Sequence, residues 1–267
     1  MASSASIALI ADRFRRALPT YEEQAVAQSK IAHHLVGLLG GVCPKGNVFD
    51  HVLEIGCGSG ILTKALLNEY TFVRYTLNDL YPEAFEYLQA QVDERQFDFI
   101  CQDAEKIPFA PNKYDLVASS STVQWFKDLP SFFAKLYETM RVNGYLLLSS
   151  FAPDNLYELS SLTKQGLTYY TTEELKLFLS PFFHLVSVEE EDLTLQFDSP
   201  LSVLRHIKNT GVTATQETSF SSNYWTPRLL AKFVQEYNLR YPFVSSEGRS
   251  GVRLTYKPIY IVAQRKS

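Results

Sequence analysis

The sequence predicts an α/β fold, a mostly parallel sheet with crossover helices packed on it. Three observations predict it. Strand-like apolar runs alternate with helix-period segments through roughly the first 150 residues, the rhythm of a parallel sheet. The run Val52-Leu53-Glu54-Ile55 passes into three alternating glycines, Gly56, Gly58 and Gly60, and straight on into helix-forming Ile61-Leu62-Thr63. An acid, Asp79, follows about 20 residues later at the tip of the next strand-like run.

The bulk numbers set limits. With 267 residues and 46% hydrophobic content, the chain can bury one full core with an insertion, or two small ones. The formal net charge is −4, and no Lys/Arg run is dense enough to track a phosphate backbone. Nucleic acid is therefore not an expected partner. Cys43, Cys57 and Cys101 lack C-x-x-C spacing, which points to reduced thiols and away from a disulfide frame or zinc site. His33 and His34 are adjacent on a helix-forming segment and point different ways, so no metal is expected. No stretch has membrane-spanning length, and the first residues lack a signal-peptide apolar region with a cleavage site. The expectation is a cytoplasmic protein with no membrane partner.

Taken in order, residues 5–18 read as a short helix bearing Arg13, Arg15 and Arg16 and closed by Pro19. Thr20 and Glu23 make a capping box for a second helix, which turns Ala27, Ile31, Leu35 and Leu38 to a core and ends at Gly40-Gly41. Tyr21 sits in its first turn beside Gln24 and Gln28, either as a surface tyrosine or on an arm that folds over the glycine turn. That turn opens onto the N-terminus of the helix at about 61–70, where unpaired N–H groups attract polar and anionic ligand groups. The spacing is G-x-G-x-G, not the G-x-G-x-x-G of a dinucleotide site, so a pyrophosphate is not the obvious guest. The strand over 74–80 ends in Asn78-Asp79, and an acid at that tip is placed to accept hydrogen bonds from ribose hydroxyls. A helix through Phe85, Leu88 and Val92 leads to a strand over 97–101 and then to Gln102-Asp103-Ala104-Glu105. The strand over 114–119 runs into Ser120 through Phe126, its end facing the crevice where ligands bind in such sheets. Pro130 opens a helix with Phe132, Phe133, Leu136, Tyr137 and Met140 on its core face, ended by Asn143-Gly144, and 145–151 form the fifth strand.

In the second half, 155–180 read as one or two helices. Residues 183–197 read as one long strand, its acidic run Glu189 to Asp192 a solvated end. From 199 to 250 the pattern is helical and polar, with Trp225-Thr226-Pro227 opening a helix over 228–239. Residues 252–263 read as a single final strand. A helical insert between the last two strands is a natural lid over the crevice. The expected organisation is an N-terminal helical arm (1–45), a Rossmann-like core (46–198), a helical lid insertion (199–250) and a final core strand (251–267).

With Glu54 two residues before Gly56, the glycine turn resembles motif I of the class I S-adenosylmethionine-dependent methyltransferases. Further motifs narrow the resemblance to the malonyl-acyl-carrier-protein O-methyltransferases of biotin synthesis. They are Phe14-Arg15-Arg16-Ala17 with Tyr21-Glu22-Glu23-Gln24-Ala25, Asp103-Ala104-Glu105 with Pro108-Phe109, and Val123-Gln124-Trp125 with Asp128-Leu129. Leu204 through Val212 is similar to that family's lid segment, and Leu254-Thr255-Tyr256 to the start of its last strand. The chain departs from the family pattern at Ser120, at Ser150 through Asn155, and at Lys164 through Thr172, all on the substrate side.

The resemblance implies a class I Rossmann-like sheet whose last strand is antiparallel. It also implies a methyltransferase acting on the free carboxylate of malonyl-acyl carrier protein, or of malonyl-CoA, and leaving S-adenosylhomocysteine. The cofactor would be held by Tyr21, Glu54, Gly56, Cys57, Gly58, Gly60, Asp79, Leu80, Asp103, Ala104 and Ser119, with Asp103 at the adenine. Tyr21 and Trp125 would wall the methyl group. A carboxylate with an ordinary pKa near ~4 is already ionised at neutral pH, so no general base is expected. Something cationic should read the malonyl carboxylate, and Arg13, Arg16, Arg205 and Lys208 are the candidates. Three other readings compete: a class I methyltransferase for a free small carboxylate or phenol, a non-catalytic adenosylmethionine-binding module, and a nicotinamide oxidoreductase.

Overall fold

The computed structural model describes residues 25–92, 97–164, 166–210, 225–244, 248 and 250–267. The first helix of the arm, the Thr20–Glu23 capping box and the Gly211-Val212 end of the lid motif lie outside these residues.

Helix α1 (Val26–Gly40) precedes a run of β1 (Val48–Ile55), α2 (Ile61–Glu69), β2 (Thr71–Asp79), α3 (Glu83–Gln89) and β3 (Phe97–Cys101). Then come β4 (Tyr114–Ser120), a short 3-10 turn over Val123–Trp125, α4 (Leu129–Thr139) and β5 (Met140–Phe151). The second half carries α5 (Tyr157–Thr163), α6 (Thr172–Leu179), β6 (Phe183–Glu190), β7 (Leu193–Phe197), α7 (Pro200–Asn209) and α8 (Pro227–Arg240). It closes with β8 (Pro242–Val244), β9 (Ser250–Tyr256) and β10 (Pro258–Arg265).

Seven strands form the main sheet in the order β3-β2-β1-β4-β5-β10-β6. The first five are parallel to their neighbours, while β10 is antiparallel to both β5 and β6. The chain thus has the α/β fold that the alternation predicts. Strand β1 lies inside the sheet between β2 and β4 with Val52, Leu53 and Ile55 buried, because a parallel strand covered on both faces needs a near-continuous apolar run. Helices α1 and α2 pack on one face, and α4 and α6 sit over the other. The stripe on α1 is Ala27, Ile31, Leu35 and Leu39; Leu38 is only half-buried.

Three expected elements are corrected. Asn143-Gly144 does not end a helix: α4 stops at Thr139, and β5 begins at Met140 and runs through the pair. Asn143 takes a φ of 63° inside an irregularity where the β4 register slips between Tyr114 and Leu116. Gly144 fits there because a Cβ would meet the Arg141 carbonyl oxygen at 2.9 Å. The long strand over 183–197 is two strands, β6 in the main sheet and β7 in a separate antiparallel sheet of order β7-β9-β8. The last strand divides in the same way, β9 in the small sheet and β10 in the large one. Pro258 has no N–H to extend a ladder and so starts β10. Both breaks fall at one place, where Lys257 pairs with Asp192 at 3.3 Å and with Asp154 at 2.6 Å. The acidic run is accordingly more than a solvated end. Glu189 bonds His34, Glu190 accepts from Thr172, and Glu191 accepts from Tyr260.

Helices α7 and α8 start at Ser199 and Thr226, whose hydroxyls accept the N–H of Ser202 and Leu229. With the β7-β9-β8 sheet they form the second layer, joined through a buried bond of 2.9 Å between His206 Nε2 and the Tyr256 hydroxyl. Burial pushes the His206 pKa down to about 4.

Candidate active site

The carboxyl end of β1 builds the turn. The N–H groups of Gly56 and Cys57 both donate to the Asn78 carbonyl, at 2.9 and 3.0 Å, so the turn is fastened to β2 as it leaves the sheet. Gly56 has a φ of 71° and Gly60 a φ of 78°. Neither tolerates a side chain, since a Cβ would fall 2.3 Å from Thr122 in the first case and 2.1 Å from Leu88 in the second. No side chain caps α2, which leaves its first N–H groups without that partner, and the buried Ser59 hydroxyl has no hydrogen-bond partner in the protein.

Three acids surround this turn. Glu54 is buried and accepts from the hydroxyls of Thr63 at 2.8 Å and Tyr75 at 2.5 Å. Burial outweighs those bonds and pushes its pKa up to about 7. Asp79 accepts the N–H of Gly58 at 2.8 Å and of Leu80 at 2.7 Å, and burial pushes its pKa up to about 6. Asp103 lies on the neighbouring loop, accepts the N–H of Glu105 at 3.1 Å and pairs with Lys106 at 3.1 Å. The Asn78 amide holds that loop in place by donating to the carbonyls of Ile100 and Gln102 at 2.9 and 2.8 Å.

These groups line one cleft at the carboxyl edge of the sheet, with an empty volume of about 1200 Å³ including its mouth. Glu54, Gly56, Cys57, Gly58, Asp79, Leu80, Asp103 and Ala104 all face it, as does Trp125. Gly60 does not, since it lies beneath the turn as the N-cap of α2. Ser119 does not line the cleft: it is buried under it, and its hydroxyl bonds the Ile55 carbonyl at 3.0 Å, bracing β4 against β1. The next residues, Ser120, Ser121 and Thr122, reach the lining instead. Gln28 and Ala32 on α1, together with Gln102, Phe126 and Lys127, also line it, although the sequence does not mark them as site candidates. The available signal was position, because Ser120 to Thr122 follow a strand whose end had to face the crevice.

The expected substrate residues divide. Arg13, Arg16 and Tyr21 lie outside the described residues. Trp125 is at the cleft. Arg205 and Lys208 are exposed on α7, whose Val203, His206 and Ile207 face inward, so neither reaches the cleft. Among the described residues no group of three or more His, Cys, Asp or Glu could hold a metal ion, and no helix is long and apolar enough to cross a membrane.

Comparison with known proteins agrees with this geometry. A family model described as a methyltransferase domain matches residues 53–148. Malonyl-[acyl-carrier protein] O-methyltransferase of Acinetobacter baylyi is 38% identical over 97% of this chain and 97% of its own length. The enzyme of the same name from Porphyromonas gingivalis is 41% identical over 96% of this chain and 95% of its own. Among solved structures, a candidate methyltransferase from Bacillus halodurans C-125 superposes with a TM-score of 0.61, at 17% identity over 87% of this chain and 99% of that one. The N-methyltransferase NodS of Bradyrhizobium japonicum, in complex with S-adenosylhomocysteine, gives 0.51 at 12% identity over 88% and 86%. At such identities the structures speak for the fold alone.

Proposed function

The chain belongs to the malonyl-[acyl-carrier protein] O-methyltransferase family, and from that premise we propose that it methylates the free carboxylate of a malonyl thioester. It is an S-adenosylmethionine-dependent methyltransferase. The observation that carries the malonyl reading is coverage: the relatives match almost the whole chain, lid included, and not only the methyltransferase domain.

The residues of the cleft suit S-adenosylmethionine. The glycine cradle, the uncapped α2 N-terminus and the partnerless Ser59 hydroxyl suit the polar amino-acid end. Asp79 would take the ribose hydroxyls and Asp103 the adenine edge, while Glu54 places negative charge behind the turn. When bound, the cofactor supplies an electrophilic methyl group: as the new O–CH3 bond forms, the S–CH3 bond breaks, its electron pair stays on sulfur, and no proton moves.

The protein therefore has to position and to dry the site, with no base to provide. Burying an anion and a sulfonium together favours a transition state in which both charges fade. Trp125 and Phe126 would exclude water at the acceptor side. The methyl acceptor is malonyl-acyl carrier protein, with malonyl-CoA as the alternative thioester, and the product is the malonyl methyl ester that starts the pimeloyl chain of biotin. Three unpaired thiols, Cys43, Cys57 and Cys101, support a cytoplasmic setting. Incubation with labelled adenosylmethionine tests the reading: malonyl thioester should acquire a base-labile methyl ester, and acetyl thioester none.

A further inference from the structure

A second, smaller chamber opens off the cofactor cleft. It shares Gln28, Ser121 and Trp125 with the cleft and is completed by Gln124, Asn155 and Tyr169, among others. Its empty volume is about 360 Å³ including its opening. Among the described residues, no Lys, Arg or His lines it.

Three of its polar atoms are buried and lack any partner in the protein: Gln28 Oε1, Ser121 Oγ and Gln124 Oε1. Gln28 is 7% exposed, and its Oε1 has no hydrogen-bond partner; by rotating its amide it can present a donor there instead. The Ser121 hydroxyl is likewise buried and unpartnered. Ser121 also holds a φ of 53°, a strained region for a residue with a side chain, and its own N–H is pinned to Ser149 Oγ at 3.0 Å. Gln124 fixes that strained turn by donating from Nε2 to the Ser121 carbonyl at 2.6 Å. Its own partnerless Oε1 is then an acceptor that suits a donor on the ligand and not a carboxylate oxygen, which gives Gln124 a supporting role. A buried polar group without a partner is costly, and the Ser121 hydroxyl together with a Gln28 amide turned to donate offers two donors to a ligand with acceptor oxygens at this small void.

Tyr169 adds a third donor. Asn155 Oδ1 is used by the Lys257 N–H at 3.0 Å, which turns its Nδ2 toward the Tyr169 hydroxyl at 3.1 Å. Tyr169 thus accepts from Asn155 and keeps its proton for another acceptor. Burial pushes its pKa up to about 12, so that proton stays in place at neutral pH.

Building on the proposed malonyl reading, we propose that this chamber receives the acceptor carboxylate and that neutral donors, Gln28 and Ser121 first, hold it in place of a cation. Neutral donors orient one oxygen without quenching the nucleophilicity of the other, as a full ion pair would. They also discriminate, because an acetyl group would leave both donors buried and unmatched. The chemistry is the transfer already described, with no additional reactant.

The test compares wild type with Gln28→Ala, Gln28→Glu and Ser121→Gly, the last chosen because glycine adopts the left-handed turn freely. Three quantities are read: KM and kcat for the malonyl thioester, equilibrium binding of malonyl-pantetheine to the adenosylhomocysteine-saturated protein, and the Kd of adenosylhomocysteine itself. Gln28→Ala and Ser121→Gly should each weaken malonyl binding and raise KM about tenfold, with adenosylhomocysteine Kd within about twofold. Gln28→Glu, although closer in shape, should weaken malonyl binding about tenfold more than Gln28→Ala, since it sets a second anion against the first. A Glu variant better tolerated than the Ala variant would make Gln28 a packing residue and overturn the proposal, as would unchanged malonyl binding in Ser121→Gly. Failure of the malonyl reading itself looks different: wild type would transfer no methyl to any malonyl thioester.

Discussion

Asp79 accepts the N–H of Gly58 at 2.8 Å, so the acid at the tip of β2 is tied directly to the glycine turn that leaves β1. Its other oxygen takes the Leu80 N–H at 2.7 Å. One carboxylate therefore shapes the floor of the cleft and offers its remaining lone pairs to a ligand. Asp79→Ala removes both the anchor and the ligand contact. Adenosylhomocysteine should bind at least about 30-fold more weakly by calorimetry, and a Kd within about threefold of wild type would contradict the assignment.

Glu54 and Asp79 make cofactor binding pH-dependent. Their pKa values are raised to about 7 and about 6, so both are partly protonated in the empty cleft at pH 6. Hydrogen-bond donors and a ligand ammonium favour the ionised forms, so binding releases protons. Adenosylhomocysteine affinity should rise from pH 5.5 to 7.5 and then level off, with proton release measured across buffers of different ionisation heat. The sign for stability is the opposite. Below the unfolded pKa near ~4 these groups contribute nothing; as pH climbs to about 7 the unfolded state loses protons that the fold retains. Without ligand the protein should lose up to about 3 kcal/mol per group across that window, and ligand should shrink the loss.

Gly60→Ala should be severe although Gly60 does not line the cleft. Its φ of 78° disfavours any side chain, and the new Cβ would fall 2.1 Å from Leu88 Cδ1 in the core. A loss of about 2–3 kcal/mol is expected in denaturant unfolding. Adding Leu88→Ala should recover the steric part, leaving the double variant more stable than the sum of the singles predicts. Strict additivity would show that the backbone conformation alone matters.

Lys208 is exposed on α7, outside the cleft lining, and under the proposed function it would steer an acidic carrier. Lys208→Ala should leave adenosylhomocysteine Kd unchanged. It should raise KM for malonyl-carrier protein several-fold at ~50 mM salt, with the difference fading near ~500 mM as charges are screened. Cofactor loss equal to that of Asp79→Ala would sink this division of roles.

The sheet and the glycine edge of the cleft are legible in the sequence because both rest on local signals. An apolar run, alternating glycines and an acid one strand later place Gly56, Gly58 and Asp79 with no knowledge of packing. Alternation along β4 turns the Ser119 hydroxyl under the sheet and Ser120 toward the opening, a placement that local sequence does not show. The break at Lys257 is hidden because apolar alternation continues across it and only Pro258 marks the end of the ladder, whereas the acidic run Glu189 to Asp192 does interrupt the apolar pattern at the other break. The acceptor chamber was invisible for a deeper reason. Gln28, Ser121, Asn155 and Tyr169 come from α1, the β4 end and two segments of the second half, and only folding brings them together. Two of those segments are the ones in which the chain departs from the family pattern.

The central claim is tested most directly by intact-mass analysis of carrier protein after incubation with the purified enzyme and adenosylmethionine. Malonyl-, acetyl- and unloaded carrier are compared side by side. The account predicts one added methyl on the malonyl form alone, shifted by the label when the donor methyl is labelled. A methyl on the acetyl or unloaded form, or none on any carrier while adenosylhomocysteine still binds, would contradict it and turn attention to free small acids and phenols.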